Sequence, residues 1–302
     1  MAIKDIFLAM VIILAWGLNF VVIKFGVADI PPFLLGALRF ICVAFPAIFF
    51  IPRPRIPLHL LAFYGLTLCF GQFALLFLAI HLGMPAGIAS LVLQSQAFFT
   101  ILLSYLFLKE AIHLPQIIGI CVALLGLITL ASSQYMQNTQ TIIPVLPLFF
   151  VLTAGLSWGM GNICNKVILK NGQTKTLSLV AWGGLFPIFP FLICSFIFEG
   201  KTQIEHSLSH FSFKDVMIVM YLSVICSLIG YSLWGHLLHK YETWKVAPLT
   251  LLVPVVGLIS AFIFLNEVLS IQQFIGTLIV ILGLCINVFG ARIFKKIRSI
   301  YN

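Results

Sequence analysis

The chain has 302 residues, of which 62% are hydrophobic and only 8% are charged, and its formal net charge is +9. A soluble globular domain carries about 25% charged residues, so this composition excludes a soluble protein and indicates an integral membrane protein. The cations fall in short loops and at the C-terminal tail, where membrane topology uses them, and this placement argues against nucleic acid as a partner.

Ten apolar runs are long enough to cross a bilayer, for which about 20 residues are needed. In chain order they cover about residues 6–26, 32–51, 58–80, 87–108, 114–131, 146–168, 177–198, 215–239, 246–266 and 270–290. Prolines, glycines and charged residues separate the runs, and the short loops leave no room for a soluble domain. The sequence therefore predicts an all-α membrane protein with ten transmembrane helices.

The fourth and fifth runs resemble the ninth and tenth. Residues 89–93 align with residues 247–251, and Glu110 aligns with Glu267. Each glutamate is followed at the same spacing by two glycines, which are Gly119 and Gly126 in the first copy and Gly276 and Gly283 in the second. This match indicates an internal duplication.

A second pattern joins the first run to the sixth. Gly17 follows Trp16 directly, and Lys24 lies eight residues after Trp16. The same distance along the chain separates Trp158 from Lys166. The two matches predict two five-helix halves, residues 1–135 and 142–302. Because five is odd, the second half would enter the membrane upside down. Such a 5+5 inverted repeat is typical of secondary transporters, whose substrate path lies between the halves.

An even number of helices places both termini on one side of the membrane. Most lysines and arginines lie on that side, whereas the opposite side has only Lys24, Lys201 and Lys214. The excess of positive charge on cytoplasmic loops predicts that both termini are cytoplasmic.

Polar and aromatic side chains inside apolar runs supply the candidates for a substrate site, because buried polar groups are costly in a membrane. Amides can hold a zwitterion without a buried countercharge, and aromatic rings can wall a cavity. The candidates are Trp16, Asn19, Gln72, Gln94, Gln96, Trp158, Asn162, Tyr231 and Trp234. Hydrogen bonding between helices is the alternative for the amides, and anchoring at the membrane interface is the alternative for the aromatic residues.

Three cations and one proline are candidates for gating or structural roles. Arg39 lies about 10 Å into the second run, at 1.5 Å per residue. In a functional role, Arg39 would attract a substrate carboxylate or gate the substrate path. In a structural role, it would hold helix ends by donating hydrogen bonds to backbone carbonyls. Lys24 and Lys166 lie near opposite faces, where their side chains can extend to the interface. Pro254 would bend the ninth helix.

Several kinds of chemistry have no support in the sequence. All eight acidic residues lie at the ends of runs or in loops, so no carboxylate is placed to relay protons across the membrane. The seven cysteines lie in apolar runs without metal-ligand spacing and are interpreted as buried apolar residues. No nucleotide-binding or hydrolase motif is present. We therefore expect a protein that is not an enzyme and binds neither a cofactor nor a metal.

The chain resembles the EamA family of the drug/metabolite transporter superfamily over nearly its whole length. The residues that carry this resemblance lie at 16–20, 38–40 and 83–87, and at the two glutamates with their following glycines. The blocks 89–94, 241–249 and 252–257 are similar to those of members that export cysteine and O-acetylserine. The small multidrug relatives use a glutamate in their first helix for proton exchange. This chain has Asn19 and Lys24 in its first helix and no glutamate, so the resemblance does not imply proton exchange here.

The resemblance implies a carrier in the inner (plasma) membrane that exports small amino-acid metabolites by alternating access, either secondary-active or facilitative. We expect a monomer or a weak homodimer in the lipid bilayer. Two alternatives stay open at this point. The aromatic content would also suit an exporter of drugs or aromatic compounds, and the chain could be a membrane protein that assembles with others without transporting anything.

Overall fold

The computed structural model describes residues 1–133, 142–170, 174–241 and 246–301, and all regular structure in these ranges is helical. We number the ten apolar helices α1 to α10 in chain order. They are Ile3–Asp29, Pro32–Ile48, Leu58–His81, Ala86–Leu108, Leu114–Ser132, Val145–Leu169, Thr176–Ser209, Phe213–Leu237, Pro248–Leu265 and Ile271–Tyr301. Within the described residues, nine are long and apolar enough to span a membrane, and α2 is shorter. The all-α, ten-helix prediction is confirmed.

Some predicted bounds are wrong by several residues. The second run was expected to reach residue 51, but α2 ends at Ile48. Pro46 lies within the last turn of this helix. The seventh helical stretch extends beyond residue 198 to Ser209, but it is interrupted at Gly200, whose positive φ of 78° sets off a further short helix, Gly200–Ser209. The proposed boundary between the halves and residues 242–245 of the family-like block lie outside the described residues.

Irregular helical turns occur at matching places in the two halves. The third helix of each half contains a π-helical segment, Gly65–Gly71 in α3 and Tyr221–Ile229 in α8. The fourth helix of each half carries a 3₁₀ segment, Leu93–Ser95 within α4 and Ala247–Leu251 at the start of α9. Departures from the α-helical bonding pattern are common at functional sites.

The ends of α4 and α9 also match. Each helix stops at a residue in the left-handed conformation, Lys109 with φ 55° and Asn266 with φ 54°. The following glutamate amide then bonds back across the last turn, from Glu110 N to Ser104 O and from Glu267 N to Ala261 O. Each bond reaches one residue further back than in the Schellman motif, and the recurrence of this helix end agrees with the repeat inferred from the sequence.

The last helices of the halves, α5 and α10, pack against each other through glycine. A Cβ added at Gly119 would lie 2.7 Å from the Gly283 carbonyl oxygen, and one added at Gly283 would lie 2.6 Å from the Ala123 amide nitrogen. Only glycine permits such a close backbone approach, which is a common way of packing helices in membranes. The repeated glycines therefore join the two halves at the edge of the bundle.

The first helix of each half lies against the fourth helix of the other, so that α1 packs on α9 and α6 packs on α4. In addition, α6 packs along α3, and α1 contacts α8. These six helices surround the middle of the molecule. The outward faces carry large exposed apolar side chains, for example Phe107, Leu125 and Phe262, as a lipid-facing surface should.

Candidate functional site

A central cavity of about 310 Å³ lies between the two halves. Its wall comes mainly from α1, α3, α4, α6, α8 and α9, with Arg39 from α2 and Thr176 from α7. The described residues that form the wall include no Asp or Glu. The polar groups of the wall are therefore amides, hydroxyls and a single guanidinium, set among aromatic rings and aliphatic side chains such as Leu68, Leu93 and Val253.

The cavity extends toward one end of the bundle. We call the end that holds both chain termini the terminal end, and the opposite end, with Asp29 and His81, the distal end. Cavity residues Leu169, Thr176 and Thr250 all belong to the terminal end. The distal end is filled by fully buried side chains, among them Leu35, Phe77, Ile80 and Met84. Access to the cavity is thus from the terminal end.

The structure places all nine predicted substrate-binding residues in the cavity wall. Three of them form an aromatic cluster. The ring centroid of Trp16 is 5.4 Å from that of Tyr231 and 5.5 Å from that of Trp234. The Trp16 indole nitrogen donates to the Cys226 carbonyl at 3.0 Å, within the π-helical segment of α8. A backbone hydrogen bond therefore holds the Trp16 ring, and the other two rings of the aromatic cluster pack on it in the cavity wall.

The amide residues fall into two groups. Asn162 Nδ2 donates to Gln96 Oε1 at 2.8 Å and to Thr100 Oγ1 at 3.1 Å, so this pair links α6 to α4 as the structural alternative anticipated. Gln94 lines the cavity on the same helix as Gln96. Buried oxygens of Asn19, Gln72 and Asn165 have no hydrogen-bond partner. Such unpartnered acceptors are uncommon in native structures and are expected where a ligand or water binds.

Arg39 is 2% exposed and belongs to the cavity wall. Its Nη2 donates to Ser227 Oγ at 3.0 Å, and its Cζ lies 3.9 Å from the centre of the Phe73 ring. Its Nε and Nη1 have no hydrogen-bond partner. The guanidinium therefore bonds to a hydroxyl rather than to a helix-end carbonyl, and two of its donor atoms are unused.

The two predicted lysines stand at opposite ends of the bundle and outside the cavity wall. Lys24 Nζ donates to the Ile80 carbonyl at 3.3 Å near the distal end. Lys166 Nζ lies 2.6 Å from the Glu110 carboxylate near the terminal end, and both side chains are about half exposed. Pro254 lies just after the 3₁₀ segment of α9, where its missing N–H coincides with the change of helix type.

Two glutamates hold helix N-termini at the distal end. Glu267 accepts from the amides of Ala86 at 2.8 Å and Gly87 at 2.9 Å, which begin α4. Glu199 accepts from Phe33 N at 2.6 Å and Leu34 N at 3.2 Å at the start of α2. A carboxylate at a helix N-terminus satisfies free amides and complements the helix dipole. The Glu267 contact joins the end of α9 to the start of α4 at the distal end.

Sequence reasoning missed Ser227, Phe73 and Tyr64 as members of this site. A signal for Ser227 was available, because Ser223 and Ser227 are four residues apart and share one face of an apolar helix. Ser223 Oγ donates to the Arg39 carbonyl at 3.0 Å, so both serines contact the same residue. The π-helical segment that carries them could not be recognised from hydrophobicity.

An all-helical membrane fold with matching halves around a central cavity defines the class of inverted-repeat transporters. The model of the EamA-like transporter family matches residues 3–132 and 145–289. The chain therefore belongs to the EamA-like transporter family.

Similar proteins are found in several organisms. A protein of Escherichia coli K12 described as a "Probable amino-acid metabolite efflux pump" is 48% identical over 98% of both chains, and one with the same description in Salmonella typhimurium is also 48% identical. The uncharacterized transporter YoaV of Bacillus subtilis is 25% identical over 91% of this chain and 94% of its own. A crystal structure shares the fold with a TM-score of 0.65 at 17% identity, covering 97% of this chain and 99% of the other.

Proposed function

We propose that this protein exports small amino-acid metabolites, such as cysteine and O-acetylserine, across the inner membrane by alternating access. The observation that carries the proposal is the carboxylate-free cavity between the halves, with amides and aromatic rings in its wall. Its volume of about 310 Å³ is at the lower limit of ligand pockets, which are about 300–1,000 Å³, and this favours a small substrate.

The relatives support the same substrate class. The two proteins at 48% identity are described as probable efflux pumps for amino-acid metabolites, and the similarity covers both chains almost completely. With both termini in the cytoplasm, as the charge distribution favours, the cavity faces the cytoplasm. This is the conformation in which an exporter loads its substrate.

The composition of the cavity wall also bears on whether transport is coupled to a pH gradient. A cavity without a carboxylate has no acidic group to exchange a proton for substrate, so we propose that transport does not require a pH gradient. The partners are then the substrate and the lipid bilayer, with the carrier a monomer or a weak homodimer. No nucleic acid or cofactor is needed.

Counterflow into proteoliposomes tests this function. Purified protein should exchange radiolabelled cysteine, O-acetylserine, glutamine or asparagine at the same rate with and without a pH gradient. Empty liposomes give the background rate. If none of these solutes is exchanged, amino-acid export is wrong, and a rate that needs the gradient would contradict uncoupled transport.

Export of drugs or aromatic compounds is a second candidate, favoured by the cluster of Trp16, Tyr231 and Trp234 in the cavity wall. Cells that express the protein would then survive aromatic drugs better and gain no resistance to excess cysteine. The opposite pattern, resistance to cysteine alone, supports amino-acid export.

A further inference from the structure

We propose that Arg39 binds the carboxylate of the transported solute, so that the carrier selects for an α-carboxylate. This inference rests on the proposed function and specifies how the same cavity recognises its substrate. It is carried by one guanidinium whose hydrogen-bonding capacity is largely unused, in a cavity wall that has no acidic residue.

The first step is the uncompensated charge. A buried cation is costly unless it is paired, and the usual partner is a carboxylate. Within the described residues, Arg39 has no ion pair, and its one side-chain hydrogen bond goes to the neutral Ser227 hydroxyl. An anionic ligand would supply the missing partner.

The second step is geometry. Phe73 covers one face of the guanidinium at 3.9 Å, which leaves the edge of the planar group for hydrogen bonding. Nε and Nη1 have no partner, and paired guanidinium N–H groups match the two oxygens of a carboxylate. Both nitrogens are buried, so a carboxylate reaches them only after a local movement of the guanidinium or of the Phe73 ring that covers it. Binding is thereby coupled to movement at the closed end of the cavity.

The third step concerns the rest of the substrate. Tyr231 lies four residues after Ser227 on the same face of α8, and its ring contacts Trp16. Aromatic faces attract cations, so the ammonium group of a zwitterion would meet the aromatic cluster while its carboxylate meets Arg39. No buried carboxylate is required for either contact.

A purely structural role for the guanidinium would be to hold α2 against α8. Other contacts also link these helices: the Ser223 hydroxyl shares its one proton between the Val219 carbonyl at 2.6 Å and the Arg39 carbonyl at 3.0 Å, and α2 packs along α8. Neither contact involves the guanidinium. Replacement of the side chain should therefore leave the helices in contact.

Binding of three related thiols to the purified protein tests the proposal, with thermal stabilisation as the measurement. Cysteine has both charges, 3-mercaptopropionate lacks the ammonium group, and cysteamine lacks the carboxylate. We expect cysteine and 3-mercaptopropionate to stabilise the unmodified protein more than cysteamine does, because cysteamine keeps only the contact with the aromatic cluster. Equal stabilisation by cysteamine and cysteine, or no stabilisation by any of the three, overturns the proposal.

Variants of Arg39 then separate recognition from folding. Arg39→Gln should keep the unliganded melting temperature within a few degrees and lose discrimination between cysteine and cysteamine. Its KM for cysteine should rise about tenfold to a hundredfold, the size expected from losing charge-assisted hydrogen bonds. Arg39→Lys keeps the charge and should recover part of the affinity. Lys201→Gln, which removes an exposed cation, is the matched control.

The two proposals fail in different ways. If the unmodified protein exchanges cysteine and Arg39→Gln does so with unchanged KM and selectivity, the carboxylate site is wrong and export stands. If carboxylate thiols stabilise the protein through Arg39 but nothing is exchanged, the site stands and export is wrong. If Arg39→Gln does not fold, Arg39→Met, a neutral side chain of similar length, takes its place, and unchanged selectivity between cysteine and cysteamine overturns the site.

Discussion

Gln94 and Asn162 stand in the wall of one cavity, but their surroundings differ. Asn162 is tied to Gln96 and Thr100 across the contact between α6 and α4. Gln94 makes no side-chain hydrogen bond within the described part of the chain and borders the open volume. The same residue chemistry therefore serves packing in one case and is available to a ligand in the other.

Alanine at each position should separate these roles. Asn162→Ala leaves the Gln96 carbonyl without its donor and should destabilise the protein by about 1–3 kcal/mol, seen as a lower melting temperature. Gln94→Ala should leave the melting temperature unchanged and raise the KM for the exported solute. A fully stable Asn162→Ala protein would show that the link between α6 and α4 contributes little.

The residues of the cavity wall could be named from the sequence to a useful extent. Amides and indoles within apolar helices are costly against lipid, so they turn inward, and the inverted repeat brings the inward faces of both halves together. All nine candidates reach the wall for that reason, while their binding role stays a prediction. The partner of Arg39 was not predicted, because the spacing of Ser223 and Ser227 marks a polar face on α8 but does not show that this face meets α2.

At the scale of elements, the contact between α5 and α10 depends on the absence of side chains. The backbones approach so closely that a Cβ at Gly283 would lie 2.6 Å from the Ala123 nitrogen. A backbone atom cannot move aside as a flexible side chain can. The paired glycines were visible in the sequence, but the partner of each helix became clear only from the fold.

Gly283→Val should therefore force α5 and α10 apart and destabilise the protein by about 1–3 kcal/mol or more, as overpacking does. The melting temperature of the purified protein measures this. Leu282→Val changes a neighbouring side chain that is 55% exposed on the outer face, and it serves as the control. Equal stability of the two variants would contradict a tight contact.

The Glu267 contact should control how often the distal end opens. Glu267→Gln keeps the shape but removes the charge that complements the start of α4, and Oε1 alone can accept. We expect a cysteine introduced at fully buried Met84 to react faster with a maleimide in this variant, measured by peptide mass. Glu205→Gln, an exposed acid, is the control. Unchanged labelling would mean that apolar packing alone keeps this end closed.

At the scale of the molecule, the alternating access that we propose would require the distal contact between α4 and α9 to open in every cycle. A Cβ built at Gly87 lies 3.1 Å from Ala261 Cβ, so a movement of about 0.7 Å apart gives the separation of about 3.8 Å found in disulfides. The double variant Gly87→Cys, Ala261→Cys should form a bridge across this contact.

Oxidation of that double variant should stop exchange in proteoliposomes, and a reducing agent should restore it. Each single cysteine variant is the control for the effect of substitution alone. Exchange that continues with the bridge in place, confirmed by mass spectrometry, would mean that solutes leave by a route other than the distal end.

The unequal partners of the two equivalent lysines have an energetic consequence for the proposed carrier. Two identical halves would make the end states of its transport cycle related by a two-fold axis, and symmetry would give them equal free energy. Here Lys166 pairs with Glu110, while its counterpart Lys24 donates to the Ile80 carbonyl. Such a difference lifts the degeneracy of the two end states. The resting population of the proposed carrier would be set by local differences of this kind between the copies, and selection could adjust it without altering the fold.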